Sequence, residues 1–430
     1  MMFHPYFLWT DTLFWVLVVV AASFAIYASR KPHLRVPWRQ VARSKTGAVS
    51  AIVLLAFLLV AMLDSVHFRP DIANGQGGQV AGNQVLSVLD YLTADMRKHV
   101  ERTYSAPFAT HSFEKETVDV NGVSRRINPP LQWGGRHLSA QQDKWRDVLQ
   151  KSARAGVTGV IIWAALAVLL VLAISAHRRQ SPVQVTSHIL RGRTELPWRT
   201  ILLTLLVVIS SVVILYELSR FYHVFGTDKV GKDVLLQSVK SIRTGLLIGT
   251  LTTLVMLPFA IALGIMAGYF GKWVDDLIQY LYTTLSSIPG VLLIAAAILS
   301  LQVYMANHPG LFETATDRND LRLLFLTLIL GITSWTGLCR LLRGETLKLR
   351  ELDYVQAAQG FGVSHARIIT RHILPNVMHV VLITVVLDFS GLVLAEAVLS
   401  YIGIGVDPSM DSWGNMINRA RLEMAREPVV

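Results

Sequence analysis

Charge and cysteine are both scarce in this sequence. Only 16% of its 430 residues are charged and 52% are hydrophobic, whereas an ordinary soluble domain carries about 25% charged residues. A chain this apolar cannot be solvated on all sides, which excludes a soluble globular protein and predicts an integral membrane protein. The single cysteine, Cys339, lies in an apolar run, so no disulfide framework can form within one chain.

Lysine and arginine are missing from the start of the chain, where neither occurs before Arg30. A secretory signal peptide needs a basic region ahead of its apolar core. We therefore expect the first hydrophobic segment to be retained as a spanning helix, with the N-terminus on the extracytoplasmic side.

Three kinds of chemical site are also absent from the sequence. It contains no Gly-x-x-x-x-Gly-Lys-Ser/Thr, so no loop of that type can cradle a nucleotide phosphate. It has no Cys/His cluster with zinc-ligand spacing and no nucleophile elbow. We predict that the chain is not an enzyme, holds no metal and carries no cofactor of its own.

Long hydrophobic runs, by contrast, are abundant. A spanning helix needs about 20 mostly apolar residues, and lysine and arginine concentrate in the cytoplasmic loops between spans. Two arginine-rich loops, 29–46 and 177–199, should therefore face the cytoplasm, and this bias explains the net charge of +11 better than nucleic-acid binding does. The predicted spans are 8–28, 47–66, 156–176, 199–217, 241–269, 277–303, 321–342 and 377–404.

Residues 67–155 differ from the rest because they are polar, with acids and bases mixed. Within them, Asn121-Gly122 separates two runs of alternating residues, which predicts a tight β-hairpin over 116–127. Residues 141–156 favour a helix that leads into the next span. Long loops cross a membrane regardless of their charge, so 67–155 is predicted to be a small α+β extracytoplasmic domain.

Two prolines and two aspartates fall in or beside the predicted spans. Pro258 and Pro289 lie within spans, where a proline kinks a helix, and we favour a packing role over a hinge. Asp275 and Asp276 are interpreted as caps at a helix start.

The stretch ELDYVQAAQGFGVSHARIITRHILPN, residues 351–376, is a polar and basic interruption between two spans. Strong helix formers continue the preceding helix, and Gly362 permits a turn that a residue with a Cβ would resist. Ser364 can cap a second helix, which Pro375 should end. The pattern predicts two short helices with an apolar seam between the spans.

This stretch resembles the EAA loop of ABC importer permeases, which has Glu-Ala-Ala, then Gly, then Leu-Pro at fixed spacing. The resemblance implies that the loop docks on an ATPase subunit, although Gln356 replaces the usual glutamate and puts a salt bridge there in doubt. The alternative is an amphipathic linker lying on the membrane. The implied ATPase-coupling residues are Gln356, Ala357, Ala358, Gly362, His365, Ile368, Leu374 and Pro375.

Four further segments resemble the dipeptide/oligopeptide/nickel group of these permeases, in the same order along the chain. HVFGTDKVGKDVLLQSV is similar to the Phe-Gly-Thr-Asp-x-x-Gly-Arg-Asp segment of that group, with Lys232 in place of arginine. The match extends over residues 199–417. The other three segments are AGYFGKWVDDLIQYLYTTLSSIPGVLLI (267–294), LAEAVLSYIGIGV (394–406) and DSWGNMI (411–417).

The chain is thus identified as a member of that group. The resemblance implies an all-α polytopic membrane protein, an ABC importer type I transmembrane domain with extra N-terminal spanning helices and the small α+β extracytoplasmic domain. Members usually continue into one more spanning helix, so we expect the sequence to be truncated after Val430; the alternative is that this protein lacks that helix. The predicted parts are an N-terminal transmembrane hairpin (1–66), the insert (67–155), a spanning helix with a basic loop (156–198) and the permease domain (199–430), with its coupling loop at 350–375.

Two carboxylates lie in the predicted span 377–404. Charged groups there are costly and tend to face a bundle interior or an aqueous cavity. Asp388 and Glu396 are a little over two turns apart and so share roughly one face. We predict that they line the translocation path. The alternative is that Glu396 stabilises a break at Gly403 and Gly405.

A polar segment precedes the span 241–269. Thr227-Asp228 is interpreted as a helix N-cap, and Gly231 as a source of flexibility. This segment, which includes Asp233, either forms an interfacial helix or takes part in gating and receptor contact; the sequence leaves both readings open.

The resemblance implies the permease subunit of an ATP-driven importer in the inner (cytoplasmic) membrane, moving di- or oligopeptides delivered by an extracytoplasmic solute-binding protein. Its implied partners are a second, homologous permease and two ATP-binding cassette subunits, which would bind ATP and magnesium. Nickel or another small solute is the alternative substrate. Two alternatives belong to other functional classes. One is a secondary transporter, and the other is a membrane-anchored sensor with 67–155 as its ligand domain.

Overall fold

The computed structural model describes residues 3–73, 79–81, 85–120, 123–138, 143–308 and 314–424 of the chain. Most of these residues are helical. Eight helices among them are long and apolar enough to cross a membrane. The prediction of an all-α polytopic membrane protein is therefore confirmed.

The elements are numbered in chain order. The helices are α1 (Trp9–Arg30), α2 (Pro32–Arg43), α3 (Lys45–Ser65), α4 (Val88–Leu92), α5 (Ala94–Lys98), α6 (Lys144–Arg178), α7 (Pro182–Arg191), α8 (Trp198–Ser219), α9 (Val234–Phe270), α10 (Lys272–Ser287), α11 (Gly290–Asn307), α12 (Ala315–Arg350), α13 (Asp353–Gly360), α14 (His365–Ile368), α15 (Leu374–Ile402) and α16 (Trp413–Met424). The strands are β1 (Phe3–Tyr6), β2 (His67–Ala73), β3 (Gln79–Ala81), β4 (Leu86–Ser87), β5 (Glu116–Val120) and β6 (Val123–Ile127).

One predicted span, 277–303, is wrong. The stretch is two helices, because α10 ends at Ser287 and α11 begins at Gly290. Ile288 is extended (φ −87°, ψ 127°), the conformation that a following proline imposes. Pro289 is consequently the N-cap of α11 and does not kink a spanning helix. Pro258, in contrast, does lie inside α9.

The chain forms two compact units, each built from separate stretches. The first consists of Met1–Val16, Val66–Val85 and Arg243–Asn418. Its core lies among α9, α10, α12 and α15, where Met256, Leu338 and Leu342 are fully buried. The apolar faces of these helices are therefore satisfied by one another.

The N-terminal residues join this first unit through contacts that the sequence did not predict. Strand β1 pairs antiparallel with β2. The carboxylate of Asp11 accepts a hydrogen bond of 2.7 Å from Arg243 on α9, and Asp320 on α12 accepts one of 2.7 Å from the backbone N–H of Trp9. The start of α1 is thus tied to both helices.

The second unit consists of Leu17–Ser65, Leu86–Ile242 and Arg419–Val430. Helices α6 and α8 pack closely in it, because Gly159 leaves room for Ser210; a Cβ at Gly159 would lie 2.9 Å from the Cα of Ser210. The indole N–H of Trp163 donates to the carbonyl oxygen of Leu202 at 2.8 Å. Small residues often allow spanning helices to approach in this way.

The predicted β-hairpin at 116–127 is confirmed. Strands β5 and β6 pair antiparallel with Val120 opposite Val123, and the turn residues Asn121-Gly122 lie outside the described residues. The lead-in helix predicted over 141–156 is confirmed from Lys144 onward as the first part of α6, and residues 141–142 lie outside the described residues. The four-part division of the chain and the extracytoplasmic placement of 67–155 stay predictions.

Candidate functional site

The predicted coupling loop is a pair of short helices, α13 and α14, between α12 and α15. Gly362 follows α13 with a φ of +73°, a left-handed conformation that glycine adopts without strain. Its N–H donates to the carbonyl of Gln359, and the N–H of Val363 donates to the carbonyl of Ala358, both at 3.0 Å. These two bonds form a Schellman motif, so the turn between the helices is fixed.

The apolar seam of the loop is buried in the core of the first unit. Val355, Ile368 and Ile373 are each fully buried, and they pack in the cluster that contains Tyr269, Ile278 and Leu338. Burying one such side chain contributes roughly 1.5–3 kcal/mol. The loop is therefore held firmly against the spanning helices.

The prediction that Pro375 ends the second helix is wrong. The chain stays helical from His365 to Ile402, through a π-helical turn at Ile369–Ile373. In that turn the N–H of Leu374 donates to the carbonyl of Ile369, five residues back. The wider turn accommodates the proline ring and its missing N–H near the start of α15. A movement of α14 would therefore pass directly into α15.

The outer face of the loop is exposed. The side chains of Gln356 and Ala357 face solvent, and the amide nitrogen of Gln356 lies 3.3 Å from the carbonyl oxygen of Glu351 in the same loop. Phe361, beside the turn glycine, is 87% exposed. Phe361 is not among the residues predicted from the sequence, although a phenylalanine in a polar turn is a visible signal.

Tyr269, at the end of α9, is a second contact residue of the loop that was not predicted from the sequence. It is buried, and its hydroxyl lies 2.8 Å from Nδ1 of His365. The side-chain amide of Gln359 donates to the same hydroxyl at 3.4 Å, and Arg350 donates to the backbone carbonyl of Tyr269 at 3.3 Å. One tyrosine thus touches the helix before the loop and both helices within it.

Asp275, which was predicted to cap a helix start, pairs with a side chain on another helix. Its two carboxylate oxygens accept hydrogen bonds of 2.6 and 2.7 Å from the guanidinium of Arg343 on α12. These bonds lower the pKa of the Asp275 carboxyl. A bidentate arginine–carboxylate pair fixes orientation as well as distance, so α10 is held against α12.

The segment before α9 is built differently from its prediction. Asp233, and not Thr227-Asp228, caps α9, because its Oδ1 accepts from the N–H groups of Leu235 and Leu236 at 2.8 and 3.2 Å. Asp228 closes a turn by accepting from the N–H of Lys232 at 2.9 Å.

Gly231 is not a flexible point in this segment. It has a φ of +74°, and a Cβ there would lie 1.8 Å from the carbonyl oxygen of Glu101. The glycine is required because two backbone stretches approach closely.

Residues of the predicted insert hold this segment through the backbone. The N–H of Glu101 donates to the carbonyl of Gly231 at 2.9 Å, and the N–H of Phe108 donates to the carbonyl of His223 at 3.0 Å. The hydroxyl of Thr227 donates to the carbonyl of Thr103 at 2.9 Å. The segment 223–233 is therefore clamped, which argues against a freely moving gate.

A buried charge cluster lies at the centre of this clamp. Nδ1 of His223 lies 2.8 Å from Asp233 and its Nε2 lies 3.5 Å from Glu101. Burial alone would lower the pKa of His223, but the hydrogen bond with Asp233 and the proximity of Glu101 raise it to about 9. The imidazole is therefore protonated at neutral pH, and its single positive charge offsets part of the charge of two buried carboxylates.

The two carboxylates of α15 have different surroundings. Asp388 is half-buried, whereas Glu396 is fully buried. Oε1 of Glu396 accepts from the hydroxyl of Ser400 at 2.7 Å, and that hydroxyl oxygen accepts from the N–H of Val406 at 3.2 Å. Gly405 lies directly against Ser400. The geometry favours the second reading of Glu396, a support for the chain break after α15.

The chain is similar to known transport components in its second half. Residues 260–424 match the family described as binding-protein-dependent transport system inner membrane component. The oligopeptide transport system permease protein OppC of Mycobacterium bovis is 32% identical over 195 residues, which are 45% of this chain and 62% of the relative. The dipeptide transport system permease protein DppC of Bacillus subtilis is 30% identical over 196 residues, 46% of this chain and 56% of the relative.

A third relative is the glutathione transport system permease protein GsiD of Pectobacterium atrosepticum, which is 30% identical over 208 residues, 48% of this chain and 63% of the relative. The chain thus spans less than two thirds of each of these relatives. The matched region contains α10 to α15 and the whole helix pair between α12 and α15. Through residues 260–424 the chain is therefore similar to the inner-membrane components of binding-protein-dependent transport systems, and the three relatives named here are peptide-type permeases.

Proposed function

We propose that the chain is the membrane-spanning permease subunit of an ATP-driven importer in the inner membrane. The observation that carries this proposal is the two-sided helix pair between α12 and α15. One side is fully buried against the spanning helices and the other presents Phe361 to solvent. An aromatic side chain that is 87% exposed beside a fixed turn is well placed to enter a cleft on a partner.

Force on this helix pair would reach the membrane by two routes. The π-helical turn makes α14 continuous with α15, and Tyr269 joins the pair to α9. Closure of two ATPase subunits beneath the pair would therefore tilt α9 and α15 together, a hinge or shear transition of the kind that opens and closes a central cavity. ATP and magnesium would bind to the ATPase subunits, and a second, homologous permease would complete the cavity.

Di- or oligopeptides are the proposed substrates. The relatives named above are oligopeptide, dipeptide and glutathione permeases, and all three names describe peptides. Nickel or another small solute is the alternative. A solute-binding protein would deliver the peptide on the extracytoplasmic side, where the N-terminus and the residue 67–155 insert are also proposed to lie.

The insert is proposed to form part of the outer mouth, where a binding protein would dock. What supports this role is the clamp of Glu101, Thr103 and Phe108 on the segment 223–233. Asp388 remains the proposed lining residue of the translocation path, because it is only half-buried. Both roles depend on the permease function.

Recovery of partner subunits tests the ATPase contact. The tagged chain would be purified in mild detergent from its own membranes, and ATP-binding subunits would be counted per chain by quantitative mass spectrometry. Phe361→Glu should reduce recovery by roughly 30-fold, as expected for an interface hot spot. Trp145→Glu, which changes an exposed residue on α6, is the matched control and should recover them normally. Equal recovery from both variants would contradict the docking role.

Uptake of a radiolabelled tripeptide by cells lacking their own copy of the gene tests the substrate. The wild-type chain should restore ATP-dependent uptake and Phe361→Glu should not. Uptake of Ni²⁺ but not of the peptide would show that the substrate is nickel and not a peptide. Peptide uptake that persists after ATP depletion would favour a secondary transporter.

A further inference from the structure

Two short helices outside the matched permease region must lie at the membrane surface. Helix α2 is separated by one residue from each of α1 and α3. Helix α7 lies between α6 and α8 with short connections at both ends. Because the four neighbouring helices are long and apolar enough to span, neither short helix can extend far from the lipid headgroups.

The two short helices lie on the same side of the membrane. Glu195, in the connection between α7 and α8, forms an ion pair with Arg39 on α2. Arg43, one turn later on α2, is 3.5 Å from the same carboxylate. A charge contact of this length is possible only if both connections are at one membrane face.

A pocket of about 130 Å³ opens between the end of α6, the helix α7 and the connection to α8. Val185 and Ile189 contribute buried apolar side chains to it, and Trp198 lies at its edge half-buried. Its polar lining includes Arg178, Arg193 and His188. Tryptophan beside basic residues is characteristic of the interfacial zone of a bilayer.

The walls of this pocket are fixed by local hydrogen bonds. Gly192 ends α7 in a left-handed conformation, and the N–H of Arg193 donates to the carbonyl of His188 at 3.0 Å. The guanidinium of Arg199 donates to the carbonyl of Ile189 at 3.1 Å. The connection is therefore shaped before any ligand arrives, and Arg178 and Arg193 border one preformed cavity.

The pocket has an uncompensated positive charge. No carboxylate is among its lining residues, and in the described part of the chain neither Arg178 nor Arg193 pairs with an acid. Glu195, the acid nearest in sequence, is already engaged by Arg39 and Arg43. The site can therefore accept an anion, and at the level of the headgroups the abundant anion is the phosphate of a phospholipid.

We propose that this pocket binds the phosphate headgroup of an anionic phospholipid, with Arg178 and Arg193 as its ligands and Val183 and Leu190 of α7 in contact with the acyl region. Both of those apolar side chains are largely exposed in the chain alone, at 78% and 65%. An amphipathic helix with exposed apolar residues and bases lies in the plane of such an interface. The bound lipid would hold the membrane position of α6 and α8.

The test uses the full chain in nanodiscs made of phosphatidylcholine with a minor share of phosphatidylglycerol. The protein is then released from the nanodiscs, and the phosphatidylglycerol molecules that stay bound to it are counted by native mass spectrometry. Arg178→Gln/Arg193→Gln should weaken its retention by about tenfold or more, because two charge-assisted hydrogen bonds are lost. The matched control is Arg179→Gln/Arg191→Gln, which removes the same charge from the ends of α6 and α7 but not from the lining of the pocket.

Repeating the measurement at raised salt distinguishes lipid bound in the pocket from lipid attracted to the general surface charge. At about 0.3 M salt, surface charges are strongly screened, so the control should retain phosphatidylglycerol within about twofold of the wild type. Equal loss in both double variants, or equal retention in both, would overturn the proposal. Displacement of the lipid by millimolar inorganic phosphate would also overturn it, because the pocket would then be a site for a free anion.

Discussion

The hydroxyl of Tyr269 lies 2.8 Å from Nδ1 of His365 and so joins the end of α9 to the start of α14. The contact ties two segments that are far apart in sequence, and Gln359 of α13 shares it. The helix pair is therefore positioned by a side chain outside the loop as well as by its own seam.

Tyr269→Phe should loosen the helix pair without unfolding it. The ring keeps its buried packing, while the loss of the hydroxyl costs about 1 kcal/mol. We expect faster hydrogen exchange at the backbone amides of 353–368 by mass spectrometry. Tyr280→Phe, at an exposed position on α10, is the control and should leave those amides unchanged. Unchanged exchange in Tyr269→Phe would show that the seam alone positions the pair.

Gly362→Ala should disturb the turn between the two helices. A Cβ at a φ of +73° is strained by roughly 1–2 kcal/mol, although the space around it is open. Gly360→Ala is the matched control, because that position is helical and equally open. In proteoliposomes with the partner subunits, Gly362→Ala should lower peptide uptake per ATP hydrolysed, and Gly362→Pro should lower it further. Normal coupling in both Gly362 variants would count against the coupling role.

Gly231→Ala should destabilise the second unit strongly. The new Cβ would lie 1.8 Å from the carbonyl oxygen of Glu101, and relieving that overlap costs on the order of 3 kcal/mol. Gly156→Ala on α6 is the control, because its Cβ would meet only Ile214 at 3.9 Å. Fluorescence-detected gel filtration after heating should show a lower midpoint for Gly231→Ala alone. A midpoint equal to that of the wild type would mean that the clamp is not formed in the membrane.

The clamp at His223 should weaken at high pH. Its pKa is raised from 6.5 to about 9, so the stabilisation is complete below about pH 6.5 and is lost as the pH rises through about 9. The shift corresponds to about 3 kcal/mol, because loss of the proton removes the positive charge that lies between two buried carboxylates.

The same heating assay, repeated from neutral pH to above pH 9, should therefore show a falling midpoint for the wild type. His223→Gln should start lower and stay nearly flat across that range. A wild-type profile as flat as that of the variant would refute the charged state of His223.

The two carboxylates of α15 should respond differently to substitution. Glu396→Gln keeps an oxygen that can accept from Ser400, so peptide uptake should stay near normal. Glu396→Ala leaves a buried hydroxyl without its acceptor, which costs about 1–3 kcal/mol and should lower the heating midpoint. Asp388→Asn should alter uptake without altering the midpoint. A loss of uptake in Glu396→Gln with an unchanged midpoint would return Glu396 to the translocation path.

The spanning helices and the loop turn could be predicted because each depends on local sequence. Twenty apolar residues form a span by composition alone, and Gly362 is needed for one backbone angle. Ile288-Pro289 was missed because a long apolar run conceals a break in the chain. The π-helical turn was missed because a proline near a helix start is compatible with either an end or a wider turn.

The remaining errors come from contacts between distant residues. Asp233 was not predicted as the cap of α9 because Thr227-Asp228 offers the same kinds of capping side chain. Asp233 differs from them in its contact with His223, which in turn lies beside Glu101, a residue distant in sequence. Likewise, the pairing of Tyr269 with His365 joins positions 96 residues apart, and no local pattern carries that information.

The clamp on 223–233 means that residues 101–108 cannot be treated as a detachable module. Shortening the chain by cutting out that region would strip hydrogen-bond partners from the stretch that starts α9. A truncated variant that fails to transport would therefore report misfolding as readily as a lost docking surface. Exchanging the turn sequence Asn121-Gly122, while leaving Glu101 and its neighbours in place, is the cleaner way to ask what the added region contributes.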